Sequence, residues 1–215
     1  MGGCVLDNWS AITTMAGRTL APRSPGQLDV SRYAYDRALR IARMVERLAA
    51  RLTADERPEH VDLTRVAALY SCVGSNGDSG GHTAGGGADD GAELAADQLP
   101  AYLPPGDVDL VVRVLGEFRS RTTRLPEARL LADAVGLEDL GLVGLWNQTR
   151  AFHAAGKTLE QLVRLWKTQS EYGYWESRLR DSFHFDTTRK VAQERLKHLA
   201  AVYERMEREM LGEDV

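Results

Sequence analysis

The chain has 215 residues, 43% hydrophobic and 27% charged, a composition typical of a globular protein with its own core. Its formal net charge is −4, which argues against a nucleic-acid-binding protein because such proteins ordinarily carry a basic excess. No apolar run approaches the roughly 20 residues that a membrane span requires. Cys4 and Cys72 stand far apart, outside any metal or redox spacing, so we expect a cytoplasmic protein without disulfides.

The first elements along the chain are an irregular lead-in and two helices. Residues 1–28 show no steady apolar spacing and contain Pro22 and Pro25, which predicts an irregular segment. Over residues 29–52 apolar side chains recur every three or four positions, which predicts an amphipathic helix. Residues 62–72 are nearly all apolar in their second half, which predicts a short buried helix.

A glycine-rich loop is predicted over residues 74–91. Eight of its 18 residues are glycine, which cannot sustain a helix or strand interior without help from the rest of the fold. Two interpretations of this loop remain open, a flexible lid over a pocket or an insertion without a role. His82 lies within it and lines the pocket only if the loop folds inward; otherwise it is solvent-exposed.

Helical spacing dominates the rest of the chain. Further helices are predicted over residues 92–103 and 108–118, from Pro126, over 158–181 and from Asp186 to about residue 211. Thr158 and Gln161 fit a capping box, which fixes the start of one of these helices. No run alternates well enough to predict a strand. We therefore expect an all-α protein of about seven or eight helices, with a single domain over residues 29–211.

Four short strings occur in a characteristic order. They are YDRALRI at 35–41, AALYSCVG at 67–74, DDGAELA at 89–95 and LLADAVGLEDLG at 130–141. In order and spacing these strings resemble the motifs of the HD-domain superfamily of metal-dependent phosphohydrolases. The resemblance covers roughly residues 29–210, and it implies an HD-like helical bundle.

The resemblance also implies a metal site, and this chain departs from it at each ligand position. Arg37 replaces the first His, Ser71 and Cys72 replace the His-Asp pair, and Val135 replaces the last Asp. The accessory histidine positions hold Tyr33, Asp89, Asp90 and Phe118. A transition metal needs several imidazole or carboxylate donors, so we expect no bound metal, no cofactor and no phosphohydrolase activity of the family type.

The replacements still line a polar pocket if the resemblance holds. Arg37 and Tyr33 lie four residues apart on one helix face, and a guanidinium matches the geometry of phosphate or carboxylate. Arg37 is therefore the first candidate for binding an anionic ligand. The alternative is a structural ion pair between Arg37 and Asp36, Asp89 or Asp90.

The candidate catalytic residues are Cys72, Tyr33 and Asp89. Arg37 nearby would lower the pKa of the Cys72 thiol and favour the nucleophilic thiolate, whereas a buried, inert cysteine is the alternative. Trp146 either packs between helices or stacks on a ligand. The full set of candidate substrate-binding residues is Arg37, Ser71, Asp90, Phe118, Val135, Trp146 and His82.

Three functional hypotheses follow. The first is a repurposed HD-like fold that binds a small organic, anionic or strongly polar molecule and performs metal-independent elimination, cyclisation or hydrolysis. The second is a non-catalytic pseudoenzyme that acts as a sensor or partner-binding module. The third, which the donor set favours least, is a hydrolase that holds a non-standard metal through Asp89, Asp90 and Cys72.

Overall fold

The computed structural model describes residues 5–20, 30–73 and 88–215. Ten α-helices occur in this part of the chain: α1 Val5–Leu20, α2 Val30–Ala49, α3 Val61–Tyr70, α4 Ala88–Gln98, α5 Pro105–Glu117, α6 Pro126–Glu138, α7 Gly141–Ala154, α8 Leu159–Glu171, α9 Tyr174–Asp181 and α10 Asp186–Leu211. A turn of 3₁₀ helix, Leu99–Ala101, follows α4. The described ranges contain no strand, which confirms the all-α prediction, and none of their helices combines the length and apolarity of a membrane span.

The predicted count of seven or eight helices is wrong, since the described residues alone contain ten. Helix α1 falls in the segment predicted to be irregular, and α7 was not recognised from its spacing. The single helix predicted over residues 158–181 is two helices. Gly173, which separates α8 from α9, has a φ of 66°, a left-handed conformation that glycine adopts without strain and that interrupts the helix.

The chain divides into two compact units. The first contains the described residues up to 135, and the second is formed by residues 136–215, so that the boundary falls within α6. The single domain predicted over residues 29–211 stays a prediction.

Helix α3 forms the centre of the first unit. Seven of its ten residues are buried, and it packs against α1, α2, α4 and α5. The second half of this helix is apolar all round, which favours enclosure on all sides, and its burial agrees with the buried helix predicted over residues 62–72. On α2 only one stripe is buried, and it consists of Ala38, Ile41, Ala42, Val45, Leu48 and Ala49.

Helix α1 corrects the prediction of an irregular lead-in over residues 1–28. Its buried apolar face is short, with only Ile12 and Ala16 fully enclosed among its described side chains, so its periodicity is weak in the sequence. Polar contacts from other helices hold it in place. The Tyr35 hydroxyl on α2 donates a hydrogen bond to the Thr13 carbonyl at 3.0 Å, and the Arg65 guanidinium on α3 lies 4.4 Å from the centre of the Trp9 ring.

Helix α4 begins earlier than predicted. Residues 88–91, assigned from the sequence to the glycine-rich loop, form its first turn. The remainder of that loop, residues 74–87 with His82, lies outside the described residues. The predicted lid or insertion therefore stays a prediction for that segment.

The second unit has its own core. Leu162, Val163, Leu199 and Tyr203 are buried together, and Leu145, Phe152, Trp166, Met206 and Met210 pack against them. The capping box predicted at the start of α8 is confirmed. The Thr158 hydroxyl accepts a hydrogen bond from the Gln161 amide, and the Gln161 side chain accepts one from the Thr158 amide.

Candidate functional site

Two of the predicted site residues lie on one face of α2. Tyr33 and Arg37 are one helical turn apart, and both are partly buried. The Arg40 guanidinium lies 5.8 Å from the centre of the Tyr33 ring, a cation–π distance. The N-terminal half of α2 thus presents a phenol and two guanidinium groups within two helical turns.

The next two residues stand at the end of α3. Ser71 is the C-cap residue of that helix, and its hydroxyl donates a hydrogen bond to the Ala68 carbonyl at 2.8 Å. Cys72 is buried, with 3% of its surface exposed to solvent, and its thiol sulfur lies 3.9 Å from the Ser71 hydroxyl oxygen. The hydroxyl oxygen of Ser71 retains acceptor capacity, whereas the thiol is shielded from bulk solvent.

A glycine brings the start of α4 against the end of α3. A Cβ placed on Gly91 would lie 2.5 Å from the Tyr70 carbonyl oxygen, a separation that only glycine permits. Asp90, the preceding residue, is exposed. Asp89 lies in the first turn of α4, and its side chain falls outside the described part of the structure. The first unit therefore places the backbone of the Asp pair close to the residues that follow α3.

The remaining predicted site residues differ in setting. Phe118 is the C-cap residue of α5; it is buried, and the Arg119 guanidinium lies 5.4 Å from its ring centre. Val135 is half-buried on α6. Trp146 lies on α7 in the second unit with 61% of its surface exposed, so it is not a packing residue within that unit. Its predicted contact with a ligand stays a prediction.

The donor set does not fit the metal centre that the resemblance to the HD-domain superfamily implies. Arg37 carries a permanent positive charge, Ser71 offers a neutral hydroxyl, and Val135 has no donor atom. Across the described residues, no three His, Cys, Asp or Glu side chains come together in an arrangement that would hold a metal ion.

Two concave surfaces of the structure were not anticipated from the sequence. One, of about 560 Å³, lies in the first unit between the α2–α3 connection, α5 and the start of α6. The other, of about 300 Å³, lies in the second unit between α8, α9 and α10. None of the predicted site residues lines either surface. The sequence did not predict these surfaces, because spacing alone does not show which helices leave a groove between them.

Comparison with known proteins identifies the fold. The crystal structure of Bacillus subtilis YpgQ in complex with ADP is similar, with a TM-score of 0.64 and 18% sequence identity over 98% of this chain and 99% of that one. A second crystal structure of Bacillus subtilis YpgQ has a TM-score of 0.63 and 18% identity over 95% of this chain and 96% of that one. No family model matches the sequence, and no curated protein matches it.

Proposed function

We propose that this chain binds a small anionic organic molecule without a resident metal ion, and that Arg37 is its anion contact. One observation carries the proposal. At the α2 position that resembles the first metal-ligating His of HD-domain proteins, the chain has a partly buried arginine. A permanent cation at that position disfavours a metal ion and favours an anion.

The chemistry of the surrounding residues supports an anionic ligand. A guanidinium presents two parallel N–H donors that match a phosphate or carboxylate group. Tyr33, one turn away on the same face, adds a phenol that can donate to an oxygen atom. The Ser71 hydroxyl donates its hydrogen bond to the Ala68 carbonyl, so its oxygen is left to accept a hydrogen bond from a hydroxyl or amino group of the ligand.

Nucleoside phosphates are the first ligands to test. The structural neighbour YpgQ was crystallised in complex with ADP, and ADP carries both the phosphate groups that a guanidinium binds and a base that an aromatic side chain can stack on. The 18% identity shows the fold alone, so the ligand class rests on the chemistry of Arg37.

A non-catalytic sensor or partner-binding module is the second candidate function. The burial of Cys72 favours it, because a nucleophile must reach its substrate and this thiol is 3% exposed. If the chain is catalytic, Cys72, Tyr33 and Asp89 remain the residues proposed for that role. The two candidates share the ligand-binding step and differ in turnover.

Replacing Arg37 with Met tests the binding role. A hydrogen bond to a charged group contributes about 1.5–3 kcal/mol, so Arg37→Met should weaken ADP binding by about tenfold to a hundredfold in isothermal titration calorimetry. Arg43→Met is the matched control, because Arg43 is exposed on the same helix and its loss changes the net charge equally. The control should bind ADP as the unmodified chain does.

The stability of the same variant separates ligand binding from a structural ion pair. A guanidinium whose main role is to bind a ligand contributes little to the stability of the ligand-free protein, so Arg37→Met should change the melting temperature only slightly. A guanidinium paired with a carboxylate would instead leave that carboxylate without its partner, at about 3–5 kcal/mol when buried. A large loss of stability in Arg37→Met that is restored by Asp36→Asn, Asp89→Asn or Asp90→Asn would refute the proposal. Chromatography of the ADP after incubation with the protein then detects any turnover.

A further inference from the structure

The larger of the two concave surfaces, the one in the first unit, contains a buried carboxylate. This surface, named here the Glu127 pocket, has a volume of about 560 Å³ and lies between the α2–α3 connection, α5 and the start of α6. Glu127 lines it from the first turn of α6, and only 4% of the surface of this residue is exposed. Charged side chains are rarely buried to this extent unless they are paired, so the partners of this carboxylate decide what the pocket can bind.

One oxygen of the Glu127 carboxylate has a partner in the protein, and the other does not. Oε1 accepts a hydrogen bond from the His60 backbone amide at 3.2 Å. Oε2 forms no hydrogen bond or ion pair with any residue that the structure describes, yet it is not among the side-chain atoms sealed off from solvent. Because Glu127 lines the pocket and Oε2 is accessible, a ligand in the pocket can reach this oxygen.

The other charged side chains of the pocket lie at its rim and balance one another. Arg57 and Glu59 line it from the α2–α3 connection. Asp109 and Arg113 line it from α5, one turn apart. All four are exposed, and neither arginine forms an ion pair with Glu127 in the structure. Since two positive and two negative charges cancel at the rim, the buried carboxylate is the net charge of the pocket, which favours a ligand with one positive charge.

Apolar side chains supply the walls of the pocket. Pro58 is buried, and Leu110 and Leu125 are partly buried. Gly106 lines the pocket from the first turn of α5 and adds no bulk to it. Concave, mostly apolar surfaces of about 300–1,000 Å³ with a few polar groups are the usual form of small-molecule sites. The Glu127 pocket falls within this range, and one polar group in it, the carboxylate, is buried.

We propose that the Glu127 pocket binds a small organic monoamine, that is, a primary ammonium group carried on an apolar body. The ammonium group donates a hydrogen bond to Glu127 Oε2, and the apolar body packs against Leu110 and Leu125. An ammonium group has three N–H donors and no acceptor, so it complements a carboxylate oxygen without a partner, and a hydrogen bond between two charged groups is of the stronger kind. Arg37 does not line this pocket, so the site is independent of the anion contact proposed for Arg37.

Nuclear magnetic resonance of the His60 backbone amide tests where the amine binds. The chain has five histidines, so labelling with ¹⁵N-histidine gives a simple spectrum, in which His60→Gln identifies the His60 signal by its disappearance. Titration with tryptamine, an indole ring that carries a primary ammonium group, should shift this signal, because the His60 amide donates to the same carboxylate. The amide signals of His153, His184 and His198 should stay in place.

Three probes with the same indole body test the charge of the ligand. At neutral pH tryptamine is a cation, tryptophol is neutral and indole-3-propionate is an anion. In isothermal titration calorimetry, tryptamine should bind at least about tenfold more tightly than tryptophol. Indole-3-propionate should bind more weakly than either, because its carboxylate is repelled by Glu127.

Glu127→Gln removes the charge of the pocket and keeps its shape. The amide oxygen of the new side chain can still accept the hydrogen bond from the His60 amide, so the melting temperature should change little. Tryptamine affinity should fall by about tenfold to a hundredfold, toward that of tryptophol. Glu59→Gln is the matched control, because Glu59 is exposed, lines the same pocket and loses the same charge. The control should weaken tryptamine by no more than about threefold.

Any of three results would overturn the proposal. The first is a His60 amide signal that does not move at millimolar tryptamine. The second is equal affinity of the unmodified chain for tryptamine and tryptophol, which would show that the ammonium group is not recognised. The third is an equal loss of tryptamine affinity in Glu127→Gln and Glu59→Gln, which would show a general charge effect. The first two results come from chains that keep Glu127, so they decide the proposal even if Glu127→Gln folds poorly.

Discussion

The contact between α3 and α4 predicts that Gly91 tolerates no side chain. A Cβ built on Gly91 would lie 2.5 Å from the Tyr70 carbonyl oxygen and 3.8 Å from the Val73 Cβ. The first of these atoms belongs to the backbone at the end of a buried helix, so it cannot rotate away as a side chain does. Gly91→Ala must therefore push the start of α4 away from the residues that follow α3.

Two opposing terms set the magnitude for Gly91→Ala. Inserting a methyl group into a packed interior typically costs about 1–3 kcal/mol, and here the clash is with backbone, which favours the upper part of that range. Within a helix, alanine is more favourable than glycine by up to about 1 kcal/mol. The net expectation is a loss of about 1–2 kcal/mol, which lowers the melting temperature of a chain this long by about 2–8 °C.

Gly116→Ala is the matched control for this experiment. Gly116 lies near the end of α5, and a Cβ built there would meet nothing within 4 Å. Only the helix-propensity term remains, so this variant should be neutral or more stable by up to about 1 kcal/mol. Thermal and urea unfolding followed by circular dichroism would measure both variants against the unmodified chain.

The sign of the change in melting temperature in Gly91→Ala shows whether α4 packs against the Tyr70 carbonyl. The two glycine variants should shift the melting temperature in opposite directions. If Gly91→Ala equals or exceeds the stability of the unmodified chain, α4 does not approach the Tyr70 carbonyl as described. The same result would remove the reason to place the Asp pair of α4 beside Ser71 and Cys72.

Two further predictions concern titration and helix docking. Burial raises the pKa of Tyr203 above its ordinary value; the folded chain then keeps a proton that the unfolded chain releases near pH 10. This contribution of Tyr203 to the free energy of unfolding is fully present below about pH 10 and is lost as the pH rises above it. In Tyr203→Phe, the free energy of unfolding measured with urea should therefore fall less steeply at alkaline pH. Arg65→Met should lose the contact with Trp9 at 4.4 Å and lower stability by about 0.5–2 kcal/mol. Trp9→Ala should lower the free energy of unfolding less in the Arg65→Met background than in the unmodified chain, because the contact is already lost there. If the two losses simply add in the double variant, the two side chains do not interact.

The elements predicted correctly from the sequence are those with local causes. The buried stripe of α2 repeats every three or four residues, and the capping box at Thr158 needs only residues within one turn. Helix α1 was missed because its stability depends on distant residues. Its Trp9 contacts Arg65, and its Thr13 carbonyl accepts a hydrogen bond from Tyr35. Such contacts have no signature at the level of spacing.

In the candidate site, too, features set by single residues could be predicted, whereas features set by the fold could not. Each departure from the metal-ligand pattern is a single residue, so the sequence alone leads to the expectation that Arg37 and Val135 hold no metal, and that expectation stays a prediction. The sequence alone could not show which polar side chains can still bind a ligand, because that depends on their hydrogen bonds and burial in the fold. The Ser71 hydroxyl donates a hydrogen bond to the Ala68 carbonyl, one turn earlier, and Cys72 is buried. The groove of the second unit was also missed, since three helices from different stretches of sequence enclose it.

The charge of the anion contact proposed for Arg37 predicts a salt dependence of ligand binding. Exposed or partly exposed charge pairs weaken as ionic strength rises, because the Debye length falls from about 10 Å at 0.1 M to about 3 Å at 1 M. ADP affinity should therefore fall steeply between low and high salt in the unmodified chain. The fall should be smaller in Arg37→Met, because that variant has lost the charge that salt would screen. An equal fall in both proteins would show that Arg37 is not the anion contact.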